Sequence, residues 1–317
     1  MVISSRFLVL DTAPQALDEH VVTPARRPSR AVRRSPEGCN WLTPGGDAAA
    51  LRAPTPASKD QDVYRSRGTL LTMAELEQSR ICKGCWEQMH VPVPIRGVLS
   101  VPFRAFGVRP SRMNPNTCTI CELMFTKVMR ARKITIDATI MFADLRGYTS
   151  LSQSQSSDAV SSLLDAFYDE CANAIWAHEG ILNKTIGDAV MAVFNFPLVR
   201  NEHAGNAVRA ARDIQQNWRE RREALVAAYG LNASELGIGI GIHSGELSFG
   251  EFGHTHRDLT AIGTVVNTAS RAQSVAEADQ ILVTQEVFQR AQPDLKDSHS
   301  KAFQLKGFNV PIELYAA

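Results

Sequence analysis

From residue 134 onward the apolar positions fall into regular periods, and the periods predict alternating strands and helices. Ile134, Ile136, Ala138, Ile140 and Phe142 alternate with Thr135, Asp137, Thr139 and Met141, the two-residue period of a strand, and Asp144 stands at its end. Ser156 to Asp158 open a helix in which Val160, Leu163, Leu164, Phe167, Cys171 and Ile175 recur at three- and four-residue spacing as far as Gly180. Residues 181–185 and 189–194 flank Gly187-Asp188, the signature of a hairpin with a tight turn. A second long helix is predicted over 202–229, with Ala207, Ala210, Ala211, Ile214 and Trp218 as its buried stripe.

Residues 237–243 alternate glycine with isoleucine, a strand whose glycines allow another backbone to approach closely. A loop with Gly250 and Gly253, a short strand to Ile262 and a helix from near Val265 follow, and residues 281–284 and 303–314 supply edge strands. This order predicts an α/β (α+β) fold, a mixed sheet with helices packed on one face, and excludes a regular βαβ winding.

The chain before residue 134 is different in kind. Residues 1–68 are rich in Pro, Ala, Arg, Ser and Asp without period, and are expected to be a disordered, solvated tail. Its cluster of Arg26, Arg27, Arg30, Arg33 and Arg34 belongs to that solvated character, and Met73 is an alternative start. Residues 69–132 carry Cys82 and Cys85 in C-K-G-C, then Cys118 and Cys121 in C-T-I-C. Two thiolate pairs at this spacing can close one four-sulfur zinc site, expected here as a structural Zn2+ in a small Cys-rich module. An iron–sulfur cluster and redox-active cysteines are the rival readings, the latter lacking a thioredoxin-like βαβ context. Cys39 has no sequence partner, and Cys171 lies on an apolar helical face as a core residue.

Composition narrows the picture further. Of 317 residues, 44% are hydrophobic and 21% charged, enough for a sizeable core, and the formal net charge of +1 gives no broad field for nucleic acid or anionic lipid. No apolar window is long enough to span a membrane, and the opening residues lack the apolar core of a secretion signal, so a cytoplasmic protein is expected. Nucleic acid is not expected as a partner, although Arg104, Arg109, Arg112, Lys127, Arg130, Arg132 and Lys133 make the Cys-rich segment locally basic.

Four segments then become recognisable: Phe142-Ala-Asp-Leu-Arg-Gly-Tyr-Thr149, Asn183-Lys-Thr-Ile-Gly-Asp-Ala-Val-Met-Ala-Val-Phe194, Gly239-Ile-Gly-Ile-His-Ser-Gly245 and Ile262-Gly-Thr-Val-Val-Asn-Thr-Ala-Ser-Arg271. In order and spacing they resemble the class III adenylyl/guanylyl cyclases, and the double C-x-x-C module resembles one that precedes some bacterial cyclase domains. The resemblance implies a catalytic domain over 133–317 built on a ferredoxin-like, palm-type mixed sheet.

It also implies roles. Asp144 and Asp188, helped by the backbone carbonyl of Leu145, match the residues that bind two Mg2+ or Mn2+ ions; all-oxygen ligands suit these metals. Asn267 and Arg271 match the pair that stabilises the transition state, and Lys306 matches a lysine that binds the triphosphate. Arg257 is a further phosphate candidate. Lys184 and Thr260 match the base-reading positions: lysine donates to adenine N1, an acceptor, and the threonine hydroxyl accepts from the 6-amino group. Many adenylyl cyclases carry Asp where Thr260 stands, whereas guanylyl cyclases usually carry Glu and Cys at the two positions.

The expected activity is therefore conversion of ATP to 3′,5′-cyclic AMP and pyrophosphate at a site shared across a homodimer. Guanylate cyclase and a catalytically silent cyclase-homology module are the alternatives. A diguanylate cyclase is excluded by the missing Gly-Gly-(Asp/Glu)-Glu-Phe hairpin.

Overall fold

The computed structural model describes residues 79–229, 236–253, 255, 258–296 and 298–317. The expected tail with its arginine cluster, Cys39, Met73 and Arg257 lies outside the described residues. Three short helical pieces come first: α1 (Lys83–Met89), a 3-10 turn at Val98–Ser100, and α2 (Val101–Ala105). A longer helix, α3 (Thr119–Ala131), then leads directly into β1 (Ile134–Leu145).

After β1 come α4 (Tyr148–Ser154), α5 (Ser157–Ala177), β2 (Ile181–Ile186), β3 (Ala189–Phe194) and α6 (His203–Tyr229). The second half holds β4 (Ile238–Phe252), β5 (Asp258–Ile262), α7 (Thr264–Val275), β6 (Ile281–Thr284), α8 (Gln285–Arg290), β7 (Ser300–Phe303) and β8 (Ile312–Ala316). The eight strands form one sheet in the order β2-β3-β1-β4-β6-β8-β7, with β5 paired to the far half of β4. β4 and β6 run parallel and every other pairing is antiparallel, so the sheet is mixed.

The alternation in β1 predicts one solvated face, yet its central residues from Ala138 to Ala143 are buried on both. Met141, Ala143 and Leu145 pack under α5 and α6, where Trp218 meets Phe167 edge-on with ring centroids 5.9 Å apart. Truncating a side chain so enclosed as Trp218 costs about 3–5 kcal/mol. Ala138, Ile140 and Phe142 face the other way, into a core shared with Val265 and Ala269 of α7 and Met129 of α3. Thr139, fully buried, has its hydroxyl satisfied by His203 Nδ1 at 2.7 Å and Ser244 Oγ at 2.6 Å.

Helices therefore cover both faces, not one. The glycines of β4 are the reason: a Cβ on Gly241 would lie 2.1 Å from the Gln273 backbone nitrogen and 2.5 Å from Ala269 O, so α7 sits directly on the strand backbone. Sequence also placed a loop at Gly250, but β4 runs unbroken to Phe252 and pairs with β5 through Gly250 and Thr260. Residues 281–284 form an interior strand between β4 and β8, and 303–314 divides into the ends of two antiparallel strands. Short apolar runs carry no mark of interior or edge position. Among the described residues, no helix is long and apolar enough to cross a membrane.

Candidate active site

Asp144 occupies the last turn of pairing in β1, opposite Ala189 of β3 and Gly239 of β4. Asp188 lies in the β2–β3 turn, where Gly187 takes a positive φ of 61° that favours glycine. The Leu145 amide donates to the Asp188 carbonyl oxygen at 3.1 Å, which fixes the hairpin turn against the end of β1. Tyr168 of α5 secures the turn from the other side, its hydroxyl donating to Gly187 O. Two carboxylates and the Leu145 backbone thus converge at one strand end.

The electrostatics there are tense. Burial pushes the Asp144 carboxyl above the usual carboxylate range and the neighbouring Asp188 charge adds to this, while the Arg146 guanidinium and the Gln273 side chain pull it down. Arg146 Nη1 lies 3.0 Å from Asp144 Oδ2. Hard oxygen donors beside one another suit Mg2+ or Mn2+, so the donor set fits the divalent ions that the sequence implies.

The strands that carry Lys184 and Thr260, β2 and β5, meet across the sheet. The arm formed by the second half of β4 with β5 bends round until β5 touches β2, enclosing the core of Ile181, Met191, Phe249 and Ala261. Asn183 Nδ2 donates to Leu259 O at 3.1 Å, and Thr260 Oγ1 lies 3.5 Å from Asn183 Oδ1. The Lys184 ammonium pairs with Asp258 Oδ2. Asp258 stands two residues before Thr260, on the same side of β5.

Asn267 and Arg271 lie four residues apart on α7, one exposed and one half-buried, and so share a face of that helix. Lys306 is exposed between β7 and β8, beside Gly307 with φ 90°. Three residues at the site escaped the sequence reading. Arg146 lies inside the first motif and Asp258 shares the two-residue period of Thr260, so both carried a signal; Tyr168 carried none.

The four cysteines form a separate, closed cluster. Their sulfurs all lie within 4.8 Å of one another, with Cys82–Cys121, Cys85–Cys118 and Cys85–Cys121 at 3.6, 3.6 and 3.5 Å. A tetrahedron with metal–sulfur bonds of about 2.3 Å has sulfur–sulfur edges of about 3.8 Å, so the cluster is close to the shape a tetrahedral ion requires. Backbone amides of Cys85 and Cys118 donate to Cys82 Sγ at 3.3 and 3.1 Å. Burial pushes the Cys85 thiol up to about 12, whereas hydrogen bonds from Cys121 and then Cys82 hold Cys118 at about 2. Without a cation the cluster cannot carry four thiolates; a dication binding there releases the protons.

Residues 131–316 match the family model described as the adenylate and guanylate cyclase catalytic domain. An adenylate cyclase of Anabaena cylindrica is 32% identical over 188 residues, covering 56% of this chain and 36% of that relative's length. The chain therefore spans only part of the curated relative. The solved adenylyl cyclase CyaB from P. aeruginosa superposes with a TM-score of 0.54 at 29% identity, over 58% of this chain and 95% of that one. The solved guanylyl cyclase Cya2 gives the same TM-score at 26% identity, over 58% of this chain and 92% of its own. Similarity to both kinds of cyclase is of the same order, so these comparisons do not separate adenylate from guanylate cyclase.

Proposed function

The chain belongs to the adenylate and guanylate cyclase catalytic domain family, and from that premise we propose that it converts ATP to 3′,5′-cyclic AMP and pyrophosphate. The observation that carries the reading is the side-by-side placement of Asp144 and Asp188, locked by the Leu145 amide at 3.1 Å from Asp188 O. In-line cyclisation forms a bond from the ribose 3′-oxygen to the α-phosphorus and breaks the bond to pyrophosphate, so negative charge must be offset at both ends. Asp144, Asp188 and the Leu145 carbonyl would hold two Mg2+ or Mn2+ ions, which would supply that offset and lower the pKa of the 3′-hydroxyl.

The remaining residues bind and orient. Asn267 holds the ribose, and Arg271 forks onto phosphate oxygens as charge moves toward the leaving group. Lys306 binds the triphosphate. Lys184 donates to adenine N1, and Thr260 accepts from the 6-amino group. One domain carries both halves of the constellation, and we read the working unit as a head-to-tail C2 homodimer in which each site takes Asp144 and Asp188 from one copy and Lys184, Thr260, Asn267 and Arg271 from the other. The Cys82, Cys85, Cys118 and Cys121 cluster is read as a structural Zn2+ site.

One observation favours a second reading. Asp258 beside Lys184 adds a carboxylate, which can accept from guanine N1–H and its 2-amino group while lysine donates to O6. Purified protein incubated with Mn2+ and either ATP or GTP decides between them. Cyclic AMP as the dominant product is expected; dominant cyclic GMP replaces the first reading with the second, and neither product leaves a silent homology module.

A further inference from the structure

Arg146 reaches from the end of β1 into the gap between the metal-site carboxylate and the end of α7. Its amide donates to Gly237 O at 2.7 Å, one terminal nitrogen lies 3.0 Å from Asp144 Oδ2, and the other donates to Gln273 O. Ion pairs near the surface usually contribute little. Two features set this one apart. Arg146 Nε is buried and takes no hydrogen-bond acceptor, a cost that the fold bears. Gly239 also clears the space, since a Cβ there would lie 2.5 Å from that same Nε. The guanidinium is thus built into a cradle, with Asp144 as its anionic partner.

We propose that Arg146 is a stand-in cation for the metal site: it offsets Asp144, and with it the Asp144–Asp188 repulsion, until a divalent ion arrives, and it then competes with that ion for the carboxylate. The inference rests on reading Asp144 and Asp188 as metal ligands. Asp144 can turn Oδ1 to the ion while Oδ2 keeps the guanidinium, but the two positive charges then face each other across one carboxylate. Anchored by Gln273 O and by its own amide, Arg146 cannot swing far to relieve this. It therefore sets metal affinity low, and binding becomes dependent on the negative triphosphate that accompanies the ion.

The test is Mn2+ binding without nucleotide, followed by the paramagnetic signal of free Mn2+, for wild type, Arg146→Gln and Arg146→Lys. Removing a unit charge from beside a divalent ion at a partly exposed site should tighten binding by about tenfold in Arg146→Gln. Arg146→Lys keeps the charge and should stay within about threefold of wild type. Equal or weaker binding by Arg146→Gln, or tighter binding by Arg146→Lys matching it, overturns the proposal. Metal-free Arg146→Gln should melt below wild type, and saturating Mn2+ should close the gap; a gap that persists assigns Arg146 a packing role and likewise overturns it. No Mn2+ binding by wild type, in the presence or absence of ATP, instead overturns the metal-ligand reading of Asp144 and Asp188.

Discussion

The chain carries two clusters of candidate metal ligands, and they differ in nearly every physical respect. The cysteines are 0–8% exposed, made of soft ligands, and complete within a few turns of one chain. Asp144 and Asp188 offer hard oxygen donors at a strand end, the Asp144 side chain is 20% exposed, and the other proposed site residues sit on β2, β5, α7 and the β7–β8 connection. A closed sulfur shell suits an ion that stays and holds a fold. An open oxygen shell suits ions that come and go with a nucleotide. In our reading, ligand chemistry and burial together separate a structural from a catalytic site, where residue clustering alone would not.

The contrast is sharpest if the open site can be destroyed without harm to the fold. Asp144→Ala and Asp188→Ala should each lower cyclase activity by about a hundred- to a thousandfold, the order seen when a group central to transition-state charge is lost. Circular dichroism should be unchanged, since neither carboxylate lies in the core. Manganese-dependent activity surviving in either variant would break the metal assignment. The closed site should behave in the opposite way: Cys82→Ser should lose the ion, about one per chain in wild type, and expose residues 79–131 to protease. Metal-free wild type with that segment still protected would end the zinc reading.

A further difference is that the cysteine cluster needs one chain and the catalytic site, in our reading, needs two. Asp144→Ala and Asn267→Ala homodimers should each be inactive. Mixed in equal amounts with free exchange, half the dimers are mixed and each holds one intact site of two, so activity should return to about a quarter of wild type. A mixture that stays dead although size analysis shows exchanged dimers would refute the shared site.

Much of this arrangement was legible in the sequence, for reasons that can be named. The strand–helix–hairpin order was written in periodicity, and Gly187-Asp188 marked its own turn. Gly241 announced a close backbone approach but not what would approach, because a glycine records space and not its occupant; α7 therefore appeared on an unexpected face. Interior placement of β6 depends on partners far along the chain, which local pattern does not encode. The contacts that escaped reading share that feature. Lys184 with Asp258 is a pairing across 74 positions, and Arg146 with Gln273 across 127.

The smallest effect concerns the seam between the two regions. Lys83, one residue after Cys82, lies 2.6 Å from Glu179 Oε1, and Arg200 links Glu179 to Glu87 of α1. Glu179 follows α5 with a left-handed φ of 63°, a conformation costly for a residue with a Cβ, and its side chain ties the Cys-rich helix to the helix–strand junction. Burial pushes its carboxyl up, but hydrogen bonds from Arg200 and Lys83 outweigh that and hold it below the usual range. A depressed carboxylate contributes stability that is present above its unfolded pKa and lost as pH falls through the folded value. Glu179→Gln preserves shape and the same backbone strain, so it isolates the charge. For a partly exposed network in which Arg200 keeps Glu87, the cost at pH 7 should be about 1 kcal/mol. Because wild type loses its advantage on acidification, urea midpoints of the two proteins should differ at pH 7 and converge as the pH falls below the ordinary glutamate value of about 4.3 and on through the depressed folded one. A gap of the same size at both values would mean that Glu179 holds the seam by shape, and that the closed and open regions are joined by packing and not by charge.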